Sequence, residues 1–264
     1  MKLLKSEWLR EIWQYRELFY FLIWRDVKVR YKQTFLGALW AVVQPFFAMV
    51  VFTVFFQRLA KMPSDGIPYP IFSYTALIPW TYFSQAITNA GNSLVTNSNL
   101  LTKVYFPRVA IPASSAFSGL VDFGIASVML LAMMAYYQLT PSLAMLLWPL
   151  LLLPLVILAL GVGMIFAALN VRYRDIRFAL PFFIQIWLFV TPIIYPSSLI
   201  PEKFRVLLAL NPLAGIIDSL RASLLPGRSV DWSALAISVA VTLVVFAVGI
   251  FYFRKTERTF ADII

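Results

Sequence analysis

The chain contains no cysteine and no histidine. It can therefore form no disulfide, perform no thiol chemistry and offer none of the usual soft-metal ligands. Charge is scarce too, at 13% of residues, against about a quarter in an ordinary soluble domain. Acids are scarcer than bases, with 12 Asp and Glu against 22 Lys and Arg. No G-x-x-x-x-G-K-[ST] phosphate cradle occurs, so the chain cannot bind and hydrolyse ATP by that means. H-E-x-x-H, G-x-S-x-G and aspartate-rich magnesium clusters are also missing. An enzyme acting on membrane lipids would have no visible active site, and no metal site is expected. There is no nucleic-acid motif.

What fills the 264 residues is apolar, at 61%. That excess is too large for one core and too widely spread for one signal peptide. The N-terminus is charged over its first 32 residues, so no removable signal peptide is expected. A helix crosses the ~30 Å hydrocarbon layer with about 20 mostly apolar residues. Charge-free stretches run over 34–57, 66–102, 123–171, 178–201 and 232–253. The third is too long for one crossing and breaks at "YYQLTPS" (136–142), which has turn chemistry. The runs are continuous, unlike the period-two alternation of a membrane β-barrel. The expected fold is all-α and integral to the membrane. Six spans are expected at about 35–58, 70–91, 110–136, 143–169, 178–196 and 232–253. The polar "NAGNSLVTNSNLLT" that follows the second reads as leaving the membrane.

Lys and Arg favour cytoplasmic loops. With both termini inside, 16 of the 22 cations fall inside and six (Arg58, Lys61, Lys203, Arg205, Arg221 and Arg228) outside. The inverted arrangement swaps these totals, so both termini are expected in the cytoplasm. The net charge of +10 is mostly this asymmetry and requires no nucleic acid.

Three segments are neither spans nor ordinary loops. Trp8, Ile12, Tyr15, Phe19 and Leu22 recur at helical spacing, with cations largely elsewhere. This predicts an amphipathic helix in the cytoplasmic interface over 1–33. The stretch 92–112 predicts a short helix across a span junction, with Asn97 and Asn99 as caps and Pro107 and Pro112 as stops. The stretch 199–227 carries Asn211 before Pro212, a cap followed by a first-turn proline. It splits into two short amphipathic helices, read as a hairpin re-entering from outside; the alternative is a loop resting on the bilayer. A transmembrane domain over 34–256 and a tail over 257–264 complete a one-domain plan.

Asp122 is the one acid deep inside a span. It is either a functional carboxylate or a structural one bonded to a neighbouring Ser, Tyr or Arg. Aromatics reach 16%. Trp40, Phe46, Phe47, Trp80, Tyr82 and Phe83 either face lipid or line a pathway where rings stack on sugars. Arg25, Lys28, Arg30 and Lys32 place four cations against the start of the first span, which fixes topology.

Five motifs occur in order: "RYKQTFLGALWAVVQP" (30–45), "FPRVAIP" (106–112), "LNVRYRDI" (169–176), "TPIIYP" (191–196) and "LNPLAGIIDSLR" (210–221). With six spans, they closely resemble the permease subunit of type-2 ABC exporters of bacterial surface polysaccharide: O-antigen, capsule or teichoic acid. The resemblance covers nearly the whole chain. It implies a homodimer in the inner membrane, joined to two copies of a separate cytoplasmic ATPase that binds the ATP and magnesium. The cargo would be a polysaccharide on an undecaprenyl diphosphate lipid, most of all O-antigen, passing a channel ringed by spans one, two and five. The N-terminal helix and the 92–108 segment would dock on the ATPase. Asn97, Asn99, Lys103, Arg108, Arg172, Arg174 and Asp175 are the coupling candidates, the last three as an ion-pair brace or a plain positive loop. Phe204, Leu208, Asn211, Pro212 and Ile216 would belong to an outer gate over 199–225. Arg25, Lys28, Arg30 and Lys32 would then meet the lipid diphosphate, Arg being suited to bidentate phosphate contact. A type-2 exporter of a smaller lipid or drug, and a polyprenyl-lipid enzyme, are the competing readings.

Overall fold

A computed structural model describes residues 13–32, 34–103, 106–140, 143–226 and 229–260. Trp8, Ile12 and Arg228 lie outside them. Among the described residues the chain is helical with no strand. Helix α1 (Arg16–Tyr31) is followed by a 3-10 turn (Gly37–Leu39), α2 (Trp40–Phe52) and a π-helical continuation (Thr53–Leu59). Then come α3 (Tyr69–Thr96), α4 (Ser98–Lys103), α5 (Ala110–Tyr136), a 3-10 turn (Leu143–Leu147) and α6 (Trp148–Arg172). Helices α7 (Ile176–Val190), α8 (Glu202–Ala209), α9 (Pro212–Leu224) and α10 (Trp232–Thr256) complete the order.

Four helical segments are long and apolar enough to cross a membrane: Gly37–Leu59, Ala110–Tyr136, Leu143–Arg172 and Trp232–Thr256. They coincide with the first, third, fourth and sixth expected spans. The second expected span, α3, is long enough but more polar, and it is the buried centre of the bundle, with 19 of its 28 residues buried. It packs on α5 and α6, with α2, α7 and α9 around it. Its hydroxyls bond back to its own carbonyls, as in Thr75 to Phe72 (2.8 Å), Thr88 to Ser84 (2.7 Å) and Ser93 to Ala90 (2.6 Å). A polar side chain satisfied within its own turn costs little to bury. The helix also runs on through "NAGNSLV" to Thr96, beyond residue 91, where the expected span ends.

The fifth expected span needs correction. Helix α7 stops at Val190 after 15 residues, or ~22 Å at 1.5 Å per residue, short of the ~30 Å layer. Thr191 precedes Pro192, whose ring disfavours a helical predecessor, and Thr191 is extended (ψ 138°). Residues 191–194 continue as buried irregular backbone.

Glycines set two features. Gly37 turns the chain from α1 into α2 at φ +52°, a conformation other residues adopt only with strain. Where α6 crosses α10, a Cβ on Gly249 would strike the Gly161 carbonyl oxygen, and one on Gly161 would lie 2.8 Å from the Phe246 Cα. The two backbones touch there because neither helix carries a side chain at the crossing. At the start of α10, Asp231 accepts from the Ser233 and Ala234 amides (both 3.0 Å) and from the Ser233 hydroxyl (2.6 Å). These bonds, led by the hydroxyl, hold its carboxyl below the usual range.

Two apolar clusters organise the bundle. The larger surrounds α3. The smaller joins Leu22 of α1, Leu94 of α3, Leu101 of α4, Ile111 of α5, Met164 of α6 and Phe253 of α10. It gathers the N-terminal helix, the 98–103 segment and the C-terminal turn at one end. Gly249→Leu should force α6 and α10 apart and cost about 1–3 kcal/mol, whereas Gly124→Ala, which meets nothing within 4 Å, should be tolerated or mildly stabilising. Thermal unfolding of the two variants in nanodiscs measures the contrast, and equal midpoints would refute the close crossing.

Candidate functional site

The four clustered cations do not share one environment. The Arg25 guanidinium pairs with Asp26 at 2.8 Å. Arg30 reaches across to α5, where Nη1 pairs with Asp122 Oδ2 and Nη2 donates to Ser118 Oγ at 3.1 Å. The Tyr31 hydroxyl donates to the other Asp122 oxygen, Oδ1. Ser115 donates to Asp26 at 3.3 Å, one turn earlier on α1. Asp122 is thus the anchor of a clamp between α1 and α5, and both its oxygens are engaged. Lys28, beside the Trp24 ring at 6.0 Å, and Lys32 keep exposed ammonium groups. Of the lipid-diphosphate candidates, Arg25 and Arg30 are neutralised by carboxylates of this chain, and Lys28 and Lys32 remain open to an anion.

At the end where the smaller cluster lies, Asn97 caps the C-terminus of α3, its side-chain amide donating to Ser93 O at 2.8 Å. Its own carbonyl accepts the Leu100 and Leu101 amides that begin α4. One residue therefore closes one helix and opens the next. Asn99 and Lys103 are exposed. Arg108 donates to the Glu257 carbonyl oxygen and ties the start of α5 to the turn after α10. Arg172, Arg174 and Asp175 are all exposed and form no ion pair with one another. The brace expected among them is absent from the described residues, and Arg172 lies instead over the Tyr173 ring at 5.4 Å. Nearby, Asn170 on α6 donates to Gly91 O and to Asn92 Oδ1 on α3, both at 3.0 Å.

The aromatic candidates divide. Trp40 (53% exposed) and Phe47 (61%) face outward from the chain, with Phe46 half-buried between. Trp80, Tyr82 and Phe83 are buried in the protomer. Phe83 meets Trp187 edge-on at 5.0 Å, and Tyr82 meets Phe123 at 6.0 Å. The lining role expected for Trp80, Tyr82 and Phe83 is therefore corrected, because they form the packing between α3, α5 and α7. Helix α7 presents Phe178, Phe182, Phe189 and Val190 outward instead.

The 199–225 segment contains two short helices divided at Asn211–Pro212. Asn211 caps α9 by accepting the Leu213 amide at 3.2 Å. It also accepts from the Trp187 indole (2.9 Å) and donates to Thr191 (3.0 Å), which binds the α9 start to the end of α7. Pro212 and Ile216 are buried, Phe204 is 46% exposed, and Leu208 is intermediate. Arg221, counted from sequence as a loop charge, is fully buried. It lies 3.9 Å above the Phe72 ring, pairs with Asp218 at 3.1 Å, and donates to the carbonyls of Pro192 (3.1 Å) and Ile193 (3.3 Å). Tyr69 donates to Ile194 O at 2.7 Å beside it.

Sequence reasoning missed Tyr31, Ser118, Asn170 and Arg221 as contact-makers. Only the motifs containing Tyr31, Asn170 and Arg221 signalled them, since each pairs across 28 or more residues. Among the described residues no group of three acids, histidines or cysteines is placed to hold a metal.

A family profile described as ABC-2 type transporter matches residues 17–225. The chain is 30% identical over 257 residues to an O-antigen export system permease protein RfbA of Myxococcus xanthus, covering 96% of this chain and 98% of that one. It is 32% identical to an O-antigen export system permease protein RfbA of Klebsiella pneumoniae, over 91% and 92% of the two chains. A polysialic acid transport protein KpsM of Escherichia coli is 26% identical, over 90% and 92%.

The clamp makes a separable forecast. Arg30→Ala leaves the part-buried Asp122 carboxylate with the Tyr31 hydroxyl as its remaining partner across the clamp and should cost about 1–3 kcal/mol. The Arg30→Ala/Asp122→Ala double variant should cost less than the sum of the single variants, with a coupling of about 0.5–3 kcal/mol. Unfolding in nanodiscs reads the cycle, and strict additivity would show that the pair contributes nothing.

Proposed function

The chain belongs to the ABC-2 type transporter family, and on that premise we propose that it exports lipid-linked polysaccharide, above all O-antigen, across the bacterial inner membrane. As a family member it is the membrane subunit of a transporter, and ATP hydrolysis belongs to a separate subunit. The cargo reading rests on one observation. Relatives named as O-antigen export permeases match nearly the full length of this chain at 30–32% identity. The polysialic acid transport relatives support capsule polysaccharide as the second reading.

In this proposal two copies of the chain assemble with two ATPase subunits, which carry the ATP and magnesium. The outward aromatic faces of α2 and α7 support the pairing. Only Pro45 and Met49 of α2, and Leu180 of α7, are buried within one protomer. Together with α3 these helices would enclose the channel, exposed rings such as Trp40 and Phe47 meeting the sugar. Both termini are cytoplasmic, so the end holding Lys103, Arg108, Arg172, Arg174 and Asp175 faces the ATPase. The exposed corner of Arg172, Arg174 and Asp175 then serves as a charged contact for that subunit. Helix α7, extended by the 191–196 stretch whose first four residues are buried, makes the fifth of six crossings. Helices α8 and α9 form the re-entrant hairpin that closes the outer side. Lys28 and Lys32 attract the lipid diphosphate, each worth ~1 kcal/mol near an anionic surface.

Deleting the chain from its host should abolish surface glycan while lipid-linked glycan accumulates inside, as read by staining of cell fractions. The chain co-purified with its ATPase should hydrolyse ATP faster with lipid-linked glycan than with the free polyprenyl lipid. An unchanged cell surface after deletion would sink the proposal.

A further inference from the structure

Between α2 and α5 lies a groove of about 480 Å3, within the ~300–1,000 Å3 range of small-molecule sites. It runs along the first span from Phe46 to Arg58 and along the third from Met129 to Tyr137. The walls are Phe, Met, Val, Ala and Pro, with few polar exceptions. One of these, the Thr53 hydroxyl, already donates to Met49 O at 2.8 Å. The others are Arg58 and the hydroxyls of Tyr136 and Tyr137. Val50, Val54 and Tyr136 are exposed along its open side.

Arg58 is the one charge in the lining. It is exposed and has no carboxylate partner among the described residues. The backbone brings it to the groove. Thr53–Leu59 is π-helical, and the Ala60 amide donates to Phe55 O, five residues back, at 3.0 Å. An α-helix carrying Phe46, Val50 and Val54 on one face would bring Gln57 onto that face next. The wider turn brings Arg58 instead, and Gln57 does not line the groove. Such turns are rare and frequently mark functional sites. Arg58 and Tyr136 lie at the same end of the spans Gly37–Leu59 and Ala110–Tyr136. That is the depth at which headgroups begin and tyrosine gathers.

The chemistry selects the occupant. A cation and two hydroxyls at headgroup depth, above an apolar groove, match an amphiphile with an anionic oxygen head. A guanidinium meets phosphate oxygens in bidentate fashion. A neutral glycan would leave the Phe, Met and Val walls without a counterpart. A diphosphate calls for more than one cation, whereas a phosphodiester carries the single negative charge that Arg58 balances.

We propose that this groove binds an anionic phospholipid of the surrounding bilayer, with its phosphodiester on Arg58 and an acyl chain lying between α2 and α5. With both termini cytoplasmic, the lipid belongs to the outer leaflet. The site is independent of which cargo the transporter carries.

Photolabelling in nanodiscs tests it. The chain and its ATPase subunit are reconstituted in phosphatidylcholine containing a trace of phosphatidylglycerol with a diazirine on its acyl chain. Adducts mapped by mass spectrometry should concentrate on residues 46–58 and 129–137. Arg58→Gln should lower that labelling about fivefold, and Arg58→Lys should keep most of it. Neither variant should change the unfolding midpoint or the labelling around the exposed Val244 of α10. Groove labelling that is unaltered in Arg58→Gln, or equally strong with a diazirine phosphatidylcholine on the unsubstituted chain, overturns the site. Preferential labelling by a diazirine polyprenyl diphosphate does so too, by making the cargo lipid the occupant. The chain has no cysteine, so Val54→Cys provides a single thiol. A disulfide-linked dimer of that variant would put a second copy in the groove and overturn the lipid.

Discussion

A guanidinium without access to solvent must find its partners inside the fold, and that demand shapes this protein at Arg221. Its two terminal nitrogens hold Asp218 and two successive carbonyls, while the Phe72 ring covers its face. The carbonyls belong to a stretch of backbone that is neither helix nor strand. Such backbone survives deep within a membrane protein only when other protein groups satisfy it. Arg221 and Tyr69 supply those groups, so α7 can end early, while Asn211 ties the start of α9 to the Thr191 hydroxyl. A charge that reads as a loop cation thus makes the early end of α7 possible.

The same demand operates at the other end. Asp122 in an apolar helix would be costly alone; with Arg30 and Tyr31 it fastens α1 to the bundle. Tied to α5 by a paired charge, α1 moves with the bundle core. Asn170, bonded to α3 near its last turns, couples α6 into the same end.

Fold class was legible because a long charge-free apolar run suits little besides a helix in lipid, and the cap at Asn211–Pro212 was legible because capping is local. The end of α7 was harder. "TPIIYP" is as apolar as the helix before it, so hydropathy carried the span through to 196, whereas Thr191 before Pro192 stops it on steric grounds. Helix α3 posed the opposite difficulty. Its polar last third reads as leaving the membrane, and the helix itself continues to Thr96 because its hydroxyls are satisfied within their own turns. For the candidate site, Arg30 and Asp122 were both singled out from sequence, but as separate features 92 residues apart. The aromatics in "LIPWTYF" were legible as a cluster and not as a core, since exposure depends on what stands opposite.

Composition and spacing alone determined that this is a helical membrane protein, where its apolar segments fall, and which residues cap or break them. Those properties depend on neighbours within a few residues, or on summed hydropathy, both of which are written along the chain. Tertiary structure alone decided that Arg30 belongs to Asp122, that Arg221 is a buried staple, and that Trp80 and Phe83 are core. Each depends on which distant side chain occupies the other half of a contact, and helices of similar periodicity and composition can be arranged in many ways until packing selects one.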